Sequence, residues 1–368
     1  MLSLNQPKIQ NASDLDVNVK DELDLPTNTV SSISWAPSGN NPTFAASDWA
    51  SYIRIYNLDP DSSALTQQAC FEAQSPCLSV KWHEDETTVF AGCADGSVKS
   101  YDFPSGSCSE IGRHEGPVKS VHWLSSSNAL LTLSFDKTLR FWDPRQAKHV
   151  AGFRLDHQIY CSDVLDSYLA IGLSDAKCLF VDLPNVQAAL ERNIKYSNSP
   201  LGNRTQITDI KLCKFESNRI GFGVSGNDMR CNISYFDRDQ QALERFDSVI
   251  TFKARPIDEE KRLYPINCLG FHPYRGSQFL YTCGGHGKMT FWDIKVKNRI
   301  AQFDFGDIPV TQAKIDPSGK YIAYSIGYDW ARGIQGYMSQ PSKVSVHILK
   351  DRELEHRYQG DENYPIKY

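Results

Sequence analysis

RHEGPVKSVHWLSSSNALLTLSFDKTLRFWD, residues 113–143, is one copy of the unit from which this 368-residue chain is built. The unit begins with the pattern apolar-x-x-apolar-x-Trp and ends with an aromatic or apolar residue followed by Asp or Asn. Its opening pattern recurs at 30–35, 77–82 and 118–123, and weaker copies that lack the Trp stand at 160–165, 207–212, 266–271 and 310–315. The tryptophans that end the first three copies of this pattern, Trp35, Trp82 and Trp123, lie 47 and 41 residues apart. A repeat of about 40–45 residues with a WD-like ending predicts the four-stranded blade of a β-propeller.

The closing pair of the unit is present in six copies and lost in the seventh, which ends at His347-Ile348. The six pairs are Tyr56-Asn57, Tyr101-Asp102, Trp142-Asp143, Val181-Asp182, Phe236-Asp237 and Trp292-Asp293. Within each unit apolar and polar residues alternate, which is the period of a strand with one buried face. A tight turn with Asp precedes the closing strand, as at Asp48, Asp95, Asp136 and Asp175. We interpret these carboxylates as acceptors that fix the hairpin.

Seven such blades account for nearly the whole chain, so the sequence predicts an all-β, seven-bladed WD-repeat propeller in a single domain. We place the propeller at residues 14–357, a flexible N-terminal tail at 1–13 and a C-terminal tail at 358–368. The stretch DLDVNVKDELDL at 14–25 alternates like a strand and precedes the first blade. We expect it to be the outer strand of the last blade, closing the ring so that no sheet edge is left open.

Composition argues against several classes of protein. The formal net charge of −5 does not suit a protein that binds nucleic acid over its whole surface. The sequence has no run of 18 apolar residues, so we expect no membrane span. The first ten residues lack the pattern of a signal peptide. The ten cysteines are scattered without a C-x-x-C pair, which is typical of buried thiols in a reducing compartment.

Motifs that resemble catalytic sites have simpler explanations here. His114, Ser134, Asp136 and Trp142 occupy the positions of the WD-repeat hydrogen-bond network, so we interpret them as structural and not as a hydrolase triad. The stretch GGHGK at 284–288 lacks the spacing of a P-loop and is followed by Met289, where Ser or Thr is needed. We therefore expect no enzymatic activity, no cofactor, no metal site and no small-molecule substrate.

Two tryptophans are not explained by the repeat. Trp49 and Trp330 each directly follow a turn Asp, in the loop between the second and third strands of the first and seventh blades. Because these blades are neighbours in a closed ring, we expect both residues on one face, across the seam. Two interpretations stand: each ring packs beneath its own loop, or the two form an aromatic patch for a partner, where Trp is a common hot spot.

Three basic residues lie in or near the fifth blade. They are Arg230, Lys253 and Arg255, the last two in the stretch FKAR. They are either ordinary surface charge or a clamp for the carboxylates of a partner, which Arg binds in bidentate fashion.

At five stretches the sequence resembles the Rae/Gle-type WD-repeat mRNA-export propellers of the nuclear pore. These are RHEGPVKSVHW (113–123), DKTLRFWD (136–143), YCSDV (160–164), YPINCLGFHP (264–273) and IAYSIGYDWARG (322–333). RFWD is common to WD repeats in general, whereas YCSDV and SIGYDWARG are more specific. The resemblance spans nearly all blades, and it is shared in part by the related mitotic-checkpoint propeller.

The resemblance implies a non-enzymatic scaffold at the nuclear pore complex, with a cytoplasmic pool, that supports export of poly(A) mRNA. It implies that the propeller binds the GLEBS segment of a GLFG-repeat nucleoporin through a first-blade Trp and later-blade Arg residues. Trp49 and Arg230 match those positions, and Lys253 and Arg255 match a basic stretch nearby. The chain departs from the family pattern in having Ser-Asp-Trp in place of Ser-Trp at Trp49, and Asn-Asp-Met-Arg in place of a Gly-Arg turn at Arg230. The alternative is a checkpoint adaptor that binds a similar segment in kinases.

RNA is the second partner that the resemblance implies, chiefly for the complex. We expect weak, strongly salt-dependent binding without base recognition, since no motif with stacking aromatics is present. The candidate contacts are Lys137, Arg140, Arg145, Lys295, Lys297 and Arg299, for which ordinary surface charge is the alternative.

Overall fold

Strands dominate the computed structural model, which describes residues 9–11, 18–19, 28–38, 42–146, 149–186, 196–215, 219–236, 246–254, 263–331, 333 and 342–354. Seven sheets follow one another along the chain. Within each sheet, consecutive strands pair antiparallel in order of sequence, from an inner first strand to an outer last strand. This is a seven-bladed β-propeller, and the predicted fold class is confirmed.

The blades are bounded as follows. Blade one contains β3 (Val30–Trp35), β4 (Thr43–Asp48), β5 (Tyr52–Asp59) and β6 (Ala64–Glu72). Blade two contains β7 (Cys77–Trp82), β8 (Thr88–Cys93), β9 (Ser97–Asp102) and β10 (Cys108–Arg113). Blade three contains β11 (Val118–Leu124), β12 (Ala129–Ser134), β13 (Thr138–Trp142) and β14 (His149–Arg154). Blade four contains β15 (Ile159–Leu165), β16 (Tyr168–Leu173), β17 (Lys177–Asp182) and β18 (Ser197–Asn198).

The remaining blades complete the ring. Blade five contains β19 (Ile207–Lys214), β20 (Ile220–Gly226), β21 (Arg230–Phe236) and β22 (Phe246–Lys253). Blade six contains β23 (Ile266–His272), β24 (Gly276–Gly284), β25 (Lys288–Asp293) and β26 (Asn298–Asp304). Blade seven contains β27 (Val310–Ile315), β28 (Tyr321–Ile326) and β29 (Lys343–Ile348), followed by the short helix α1 (Asp351–Leu354). Two further strands near the start of the chain are β1 (Ile9–Asn11) and β2 (Asn18–Val19).

The core lies between neighbouring blades. All six residues of β4, Thr43–Asp48, are buried, because small and apolar side chains there are covered by a blade on each face. The outer strand β14, by contrast, is exposed or half-buried along its whole length. Clusters of buried side chains join each blade to the next, such as Ile53 of blade one with Trp82 of blade two. Burial of these contiguous faces is the main force that holds the ring together.

The propeller has two faces, which differ in the loops that they carry. The upper face carries the loops that enter each blade and the turns between its second and third strands. The lower face carries the loops between first and second strands and those between third and fourth strands. This division follows from the antiparallel order of the strands within each blade.

The seam between blades seven and one is closed by side-chain packing. Val344 and Val346 of β29 share a buried cluster with Ile33 and Phe44 of blade one. The indole Nε1 of Trp35 donates a 2.8 Å hydrogen bond to the carbonyl of Lys314 in blade seven.

The predicted closing strand at 14–25 is wrong where the structure describes it. Asn18–Val19 pairs in parallel with Ala64–Leu65 of blade one, and not with blade seven. Ile9–Asn11, predicted to lie in a tail, pairs in parallel with Gln302–Asp304 at the outer edge of blade six. The reason is that an alternating segment specifies a strand but not its partner, and every outer blade edge offers unpaired backbone groups. The rest of 14–25 lies outside the described residues, as do 358–368.

The end of blade seven, where the last copy lacks the WD-like pair, carries a buried contact between His347 and Glu353. His347 is fully buried, and its Nε2 lies 2.7 Å from Oε2 of Glu353, which is in α1 and is also buried. The same carboxylate oxygen accepts a 3.1 Å hydrogen bond from the backbone N–H of Lys350. A buried carboxylate from the following helix therefore pairs with the end of this strand, where the other copies end in Asp or Asn.

Candidate partner-binding surface

The WD-repeat network of blade three is structural, as predicted, but one of its members differs. His114 Nδ1 lies 3.1 Å from Asp136 Oδ2, and its Nε2 lies 2.7 Å from Thr132 Oγ1. The indole Nε1 of Trp142 donates to the same Thr132 hydroxyl at 2.7 Å. Burial opposes ionisation of Asp136, but hydrogen bonds from His114 and Thr138 outweigh it and hold the pKa of Asp136 well below its usual range.

Ser134, which the sequence predicts as a member of this network, is not part of it. Its hydroxyl donates to the carbonyls of Gly116 and Pro117 at 3.0 and 2.9 Å, so it fastens the loop that enters the blade. Thr132 takes its place in the network. The pairing of β12 with β13 sets Thr132, and not Ser134, beside Arg140 in the middle of the blade. His114, Thr132, Asp136 and Trp142 are thus joined in one hydrogen-bonded chain, and Ser134 is bonded separately to backbone carbonyls.

Trp49 and Trp330 lie on the upper face, on either side of the seam between blades one and seven. Their side chains are 46% and 42% exposed, which is unusual for Trp. The backbone N–H of Trp49 donates to the carbonyl of Thr29 at 3.1 Å, and the Thr29 hydroxyl donates to the carbonyl of Tyr328 at 2.6 Å. The Tyr328 ring lies 5.5 Å from that of Trp330. A short chain of contacts therefore joins the two tryptophans.

The turn that carries Trp49 is held from below by a buried ion pair. Arg54 Nη1 lies 2.5 Å from Asp48 Oδ2, and the two residues are 2% and 1% exposed. The other carboxylate oxygen of Asp48 accepts a 2.9 Å hydrogen bond from the backbone N–H of Tyr52. Because both ends of the turn are tied to the same buried carboxylate, Trp49 is presented on a rigid support.

Trp330 has a backbone conformation that a bulky residue rarely adopts. Its φ is 61°, in the left-handed region, which is costly for a residue with a large side chain. The turn is fixed by Asp329, whose Oδ2 accepts a 3.2 Å hydrogen bond from Asn267 Nδ2 of blade six. The Tyr328 hydroxyl donates to the carbonyl of Gly333 at 2.5 Å. The surroundings thus enforce the strained turn and turn the indole outward.

Leu263 is an exposed apolar residue of this region that the sequence analysis missed. It is 60% exposed and lies in the loop that enters blade six, hence on the upper face. The segment that carries Leu263 lies close to the turn that carries Trp330. Both Pro265 of the first and Asp329 of the second pack so tightly against Gly285 that a side chain at position 285 would clash with them. Leu263 of blade six, Trp330 of blade seven and Trp49 of blade one are thus three exposed large apolar side chains of the same face. The sequence does not single out Leu263, because it is one Leu within a charged loop that no repeat pattern covers.

Arg230 and Lys253 are direct cross-strand neighbours at the upper ends of β21 and β22. The Arg230 Nε lies 2.5 Å from Asp228 Oδ2, and its Nη2 donates to the Thr205 hydroxyl. The Arg230 guanidinium is therefore oriented by Asp228 and Thr205. Lys253 is exposed beside it. Arg255 lies outside the described residues.

The structure thus places the predicted partner-binding residues that it describes in two groups. Trp49 and Trp330 lie on either side of the seam and are linked through Thr29 and Tyr328, whereas Arg230 and Lys253 are direct neighbours in blade five. Both pairs are on the upper face, and blade six with its exposed Leu263 lies between them along the ring.

The six RNA candidates do not form one patch. Lys137 is in an upper-face turn of blade three, where its Nζ donates to the carbonyl of Asp156 at 3.0 Å. Arg145 follows the same strand to the lower face and is paired with Asp143 at 2.8 Å. Arg140, between them, donates to the carbonyl of Arg113 at 2.8 Å. Lys295 and Lys297 lie in a lower-face turn of blade six.

The last RNA candidate, Arg299, is in β26 and donates to Gln302 Oε1 at 3.1 Å. The candidates therefore belong to two separate blades and to both faces. The prediction grouped residues that are close in sequence. They are separated in the structure because the two ends of a strand lie on opposite faces of the propeller.

Two kinds of feature are not seen in the described part of the chain. Over those ranges, no three His, Cys, Asp or Glu side chains are grouped so that they could hold a metal ion. No helix among the same residues is long and apolar enough to cross a membrane.

Seven blades and the hydrogen-bonded Trp–Thr–His–Asp network define a WD-repeat β-propeller. The model of the family described as WD domain, G-beta repeat, matches residues 65–102 and 106–143.

Similar proteins span almost the same length. The chain is 29% identical to the mRNA export factor rae-1 of Caenorhabditis elegans, over 88% of this chain and 86% of that protein. It is 26% identical to the mRNA export factor GLE2 of Chaetomium thermophilum, over 92% and 94%. It is 27% identical to the Poly(A)+ RNA export protein of Schizosaccharomyces pombe, over 90% and 91%. The resemblance to Rae/Gle-type propellers is confirmed, and these export factors are homologues of the chain.

Proposed function

We propose that this protein is a non-enzymatic scaffold for the export of mRNA from the nucleus. Its homologues are named for mRNA export, and its blade-three network is fully engaged in structural hydrogen bonds. The observation that carries the proposal is the pair of half-exposed tryptophans on rigid turns at the seam. Exposed Trp on a preorganised support is typical of a binding hot spot.

The partner that this surface suits best is the acidic GLEBS segment of a GLFG-repeat nucleoporin, which would place the protein at the nuclear pore complex. The apolar side of the segment would cover Trp49, Leu263 and Trp330. Its carboxylates would lie toward Lys253 and Arg230, whose guanidinium Asp228 already orients. A preoriented guanidinium loses less conformational freedom on binding than a free one.

Replacing either Trp49 or Trp330 with Ala should weaken binding of a synthetic GLEBS segment. We expect each loss to be about 2 kcal/mol or more, roughly 30-fold in Kd, because a hot-spot ring loses both its buried area and its rigid contact. Isothermal titration calorimetry would measure it. Tyr274→Ala is the matched control, since Tyr274 is an aromatic residue that is 75% exposed on the lower face.

Three further results would decide the assignment. Arg230→Glu should weaken binding more than Arg230→Ala, because it adds repulsion to the lost hydrogen bonds. Wild-type affinity in both Trp variants would show that the segment binds elsewhere. Preference for a checkpoint-kinase segment over the nucleoporin segment would instead favour a mitotic adaptor.

RNA contact by the isolated propeller should be weak and spread over several separate cations. Lys295→Gln or Arg145→Gln alone should lower the salt slope of binding by about one unit or less, since each removes at most one phosphate contact. Filter binding at two salt concentrations, with and without the GLEBS segment, would measure this. We expect the complex to bind more tightly than the propeller alone. Tight, salt-insensitive and sequence-specific binding by the free protein would contradict the proposal.

A further inference from the structure

The axis of the propeller is an open channel with a volume of about 420 Å³. Its wall is formed by the inner strands of the seven blades. This volume lies at the lower end of the range found for small-molecule sites, about 300–1,000 Å³. The proposed binding of a partner on the upper face makes no use of it.

One layer of the channel wall is rich in charge. Near its start, each inner strand has a shift in its pairing register with the second strand of its blade. In five blades the third residue after this shift is ionisable. These residues are Lys81, His122, Asp163, Lys211 and Lys314. Because they have the same position in equivalent strands, they face the axis at the same height.

Lys119 of blade three adds a fourth ammonium group to the channel wall. Four lysines in one small channel repel each other unless they are paired.

The carboxylates of the channel are already engaged by backbone donors. Asp163 Oδ2 accepts from the N–H of Leu212 at 2.9 Å, which joins blade four to blade five. Asp209 Oδ2 accepts from the N–H of Leu269 at 3.1 Å, and its Oδ1 pairs with Lys211 Nζ at 2.6 Å.

The third carboxylate, Asp316 at the lower mouth, accepts from the N–H groups of Ser318 and Tyr321 at 2.9 and 2.7 Å. These acids therefore fasten strands and loops, and only Lys211 among the lysines is paired.

Three ammonium groups are left without a direct partner. Over the described residues, Lys81, Lys119 and Lys314 make no side-chain hydrogen bond and no ion pair within 4.0 Å. Burial, followed by the charge of Lys314, lowers the pKa of Lys81 to about 8. Burial also lowers the pKa of Lys119 and of Lys314. Burial together with the surrounding lysines holds the pKa of His122 well below its usual value, so its imidazole is neutral.

We propose that the channel binds a small free anion bearing phosphate groups, coordinated by Lys81, Lys119 and Lys314. A compact anion would relieve the repulsion among these groups and supply the acceptors that they lack. Lysine ammonium groups are common phosphate ligands, and hydroxyl groups of the same wall, such as Ser79 and Ser120, can donate to the remaining oxygens. The narrow channel favours a small ion over a folded segment of a protein.

Pyrophosphate and inorganic phosphate are the probes for this proposal. Added to the full-length protein at low salt, pyrophosphate should raise the melting temperature above that in sodium chloride of equal ionic strength, because it binds only the folded state. Phosphate-31 NMR should show broadening of the pyrophosphate signal. In titrations, Lys81→Gln and Lys314→Gln should each weaken pyrophosphate binding at least about tenfold, the usual size for a lost charge-assisted hydrogen bond.

Lys343→Gln is the matched control, since Lys343 is exposed at the start of β29, away from the axis. It should bind pyrophosphate like the wild type. Without anion, the channel variants should melt no lower than the wild type, because each removes an unpaired charge, and this separates a binding defect from a folding defect. The proposal is wrong if neither probe acts beyond the salt control or if all three variants lose binding equally. It is also wrong if single-stranded RNA, and not pyrophosphate, shows binding that depends on Lys81 and Lys314.

Discussion

Arg54→Ala should lower the free energy of unfolding by about 3–5 kcal/mol, because it leaves the carboxylate of Asp48 buried without its cation. Asp48 and Arg54 are 1% and 2% exposed, and their side chains meet at 2.5 Å. The guanidinium also lies 4.8 Å from the centre of the Tyr52 ring, so its removal opens space beneath the turn. Urea unfolding would measure the loss as a lower midpoint with an unchanged slope.

Arg145→Ala is the control for this prediction. Arg145 also makes a short ion pair with an Asp, at 2.8 Å, but its side chain is 83% exposed. Water replaces such a partner readily, so we expect no measurable change in the urea midpoint. The double variant Asp48→Leu with Arg54→Met should recover part of the loss, since no charge then remains buried. An Arg54→Ala midpoint equal to that of the wild type would mean that Asp48 does not depend on its partner.

The inner strands could be located from the sequence with little error. The predicted segments 30–35, 77–82 and 310–315 coincide with β3, β7 and β27. Alternation of apolar and polar residues is a local signal, and burial between two blades imposes it at every copy. The number of blades follows from counting these segments.

The partners of the early segments could not be found in the same way. The side chains of 14–25 alternate like a strand, yet Asn18–Val19 pairs with blade one. An outer blade edge offers the same row of backbone groups in every blade, so alternation cannot select among them. The prediction of Ser134 as a network member of blade three is wrong for a related reason. Ser134 and Thr132 are two residues apart on one strand, and only the pairing register separates their roles.

The candidate surface was predicted as a set of residues but not as a geometry. Position in the repeat placed Trp49 and Trp330 in equivalent turns of neighbouring blades, which was enough to predict a common face. Nothing in the sequence shows that Asp228 orients Arg230, or that Leu263 is exposed, because both depend on loop conformation. The charged layer of the channel cannot be predicted from the sequence either, because it becomes apparent only when the inner strands are aligned by their register shifts.

Thr132→Val should lower the free energy of unfolding by about 2–6 kcal/mol, although the two side chains have nearly the same shape. Thr132 is fully buried, and its hydroxyl lies 2.7 Å from both the Nε2 of His114 and the Nε1 of Trp142. The valine would leave one buried acceptor and one buried donor unpaired, each at a cost of about 1–3 kcal/mol. Urea unfolding of the full chain would give the value.

Thr282→Val in blade six is the matched comparison for this network. Thr282 occupies the equivalent place and is 2% exposed, and its hydroxyl accepts from the Nε1 of Trp292 at 2.8 Å. The substitution would leave the indole unpaired without removing a His contact, so its cost should be smaller, about 1–3 kcal/mol. Equal losses in the two variants would show that the His114 hydrogen bond contributes nothing to stability. The His–Asp pair of blade three would then be a consequence of the fold and not one of its supports.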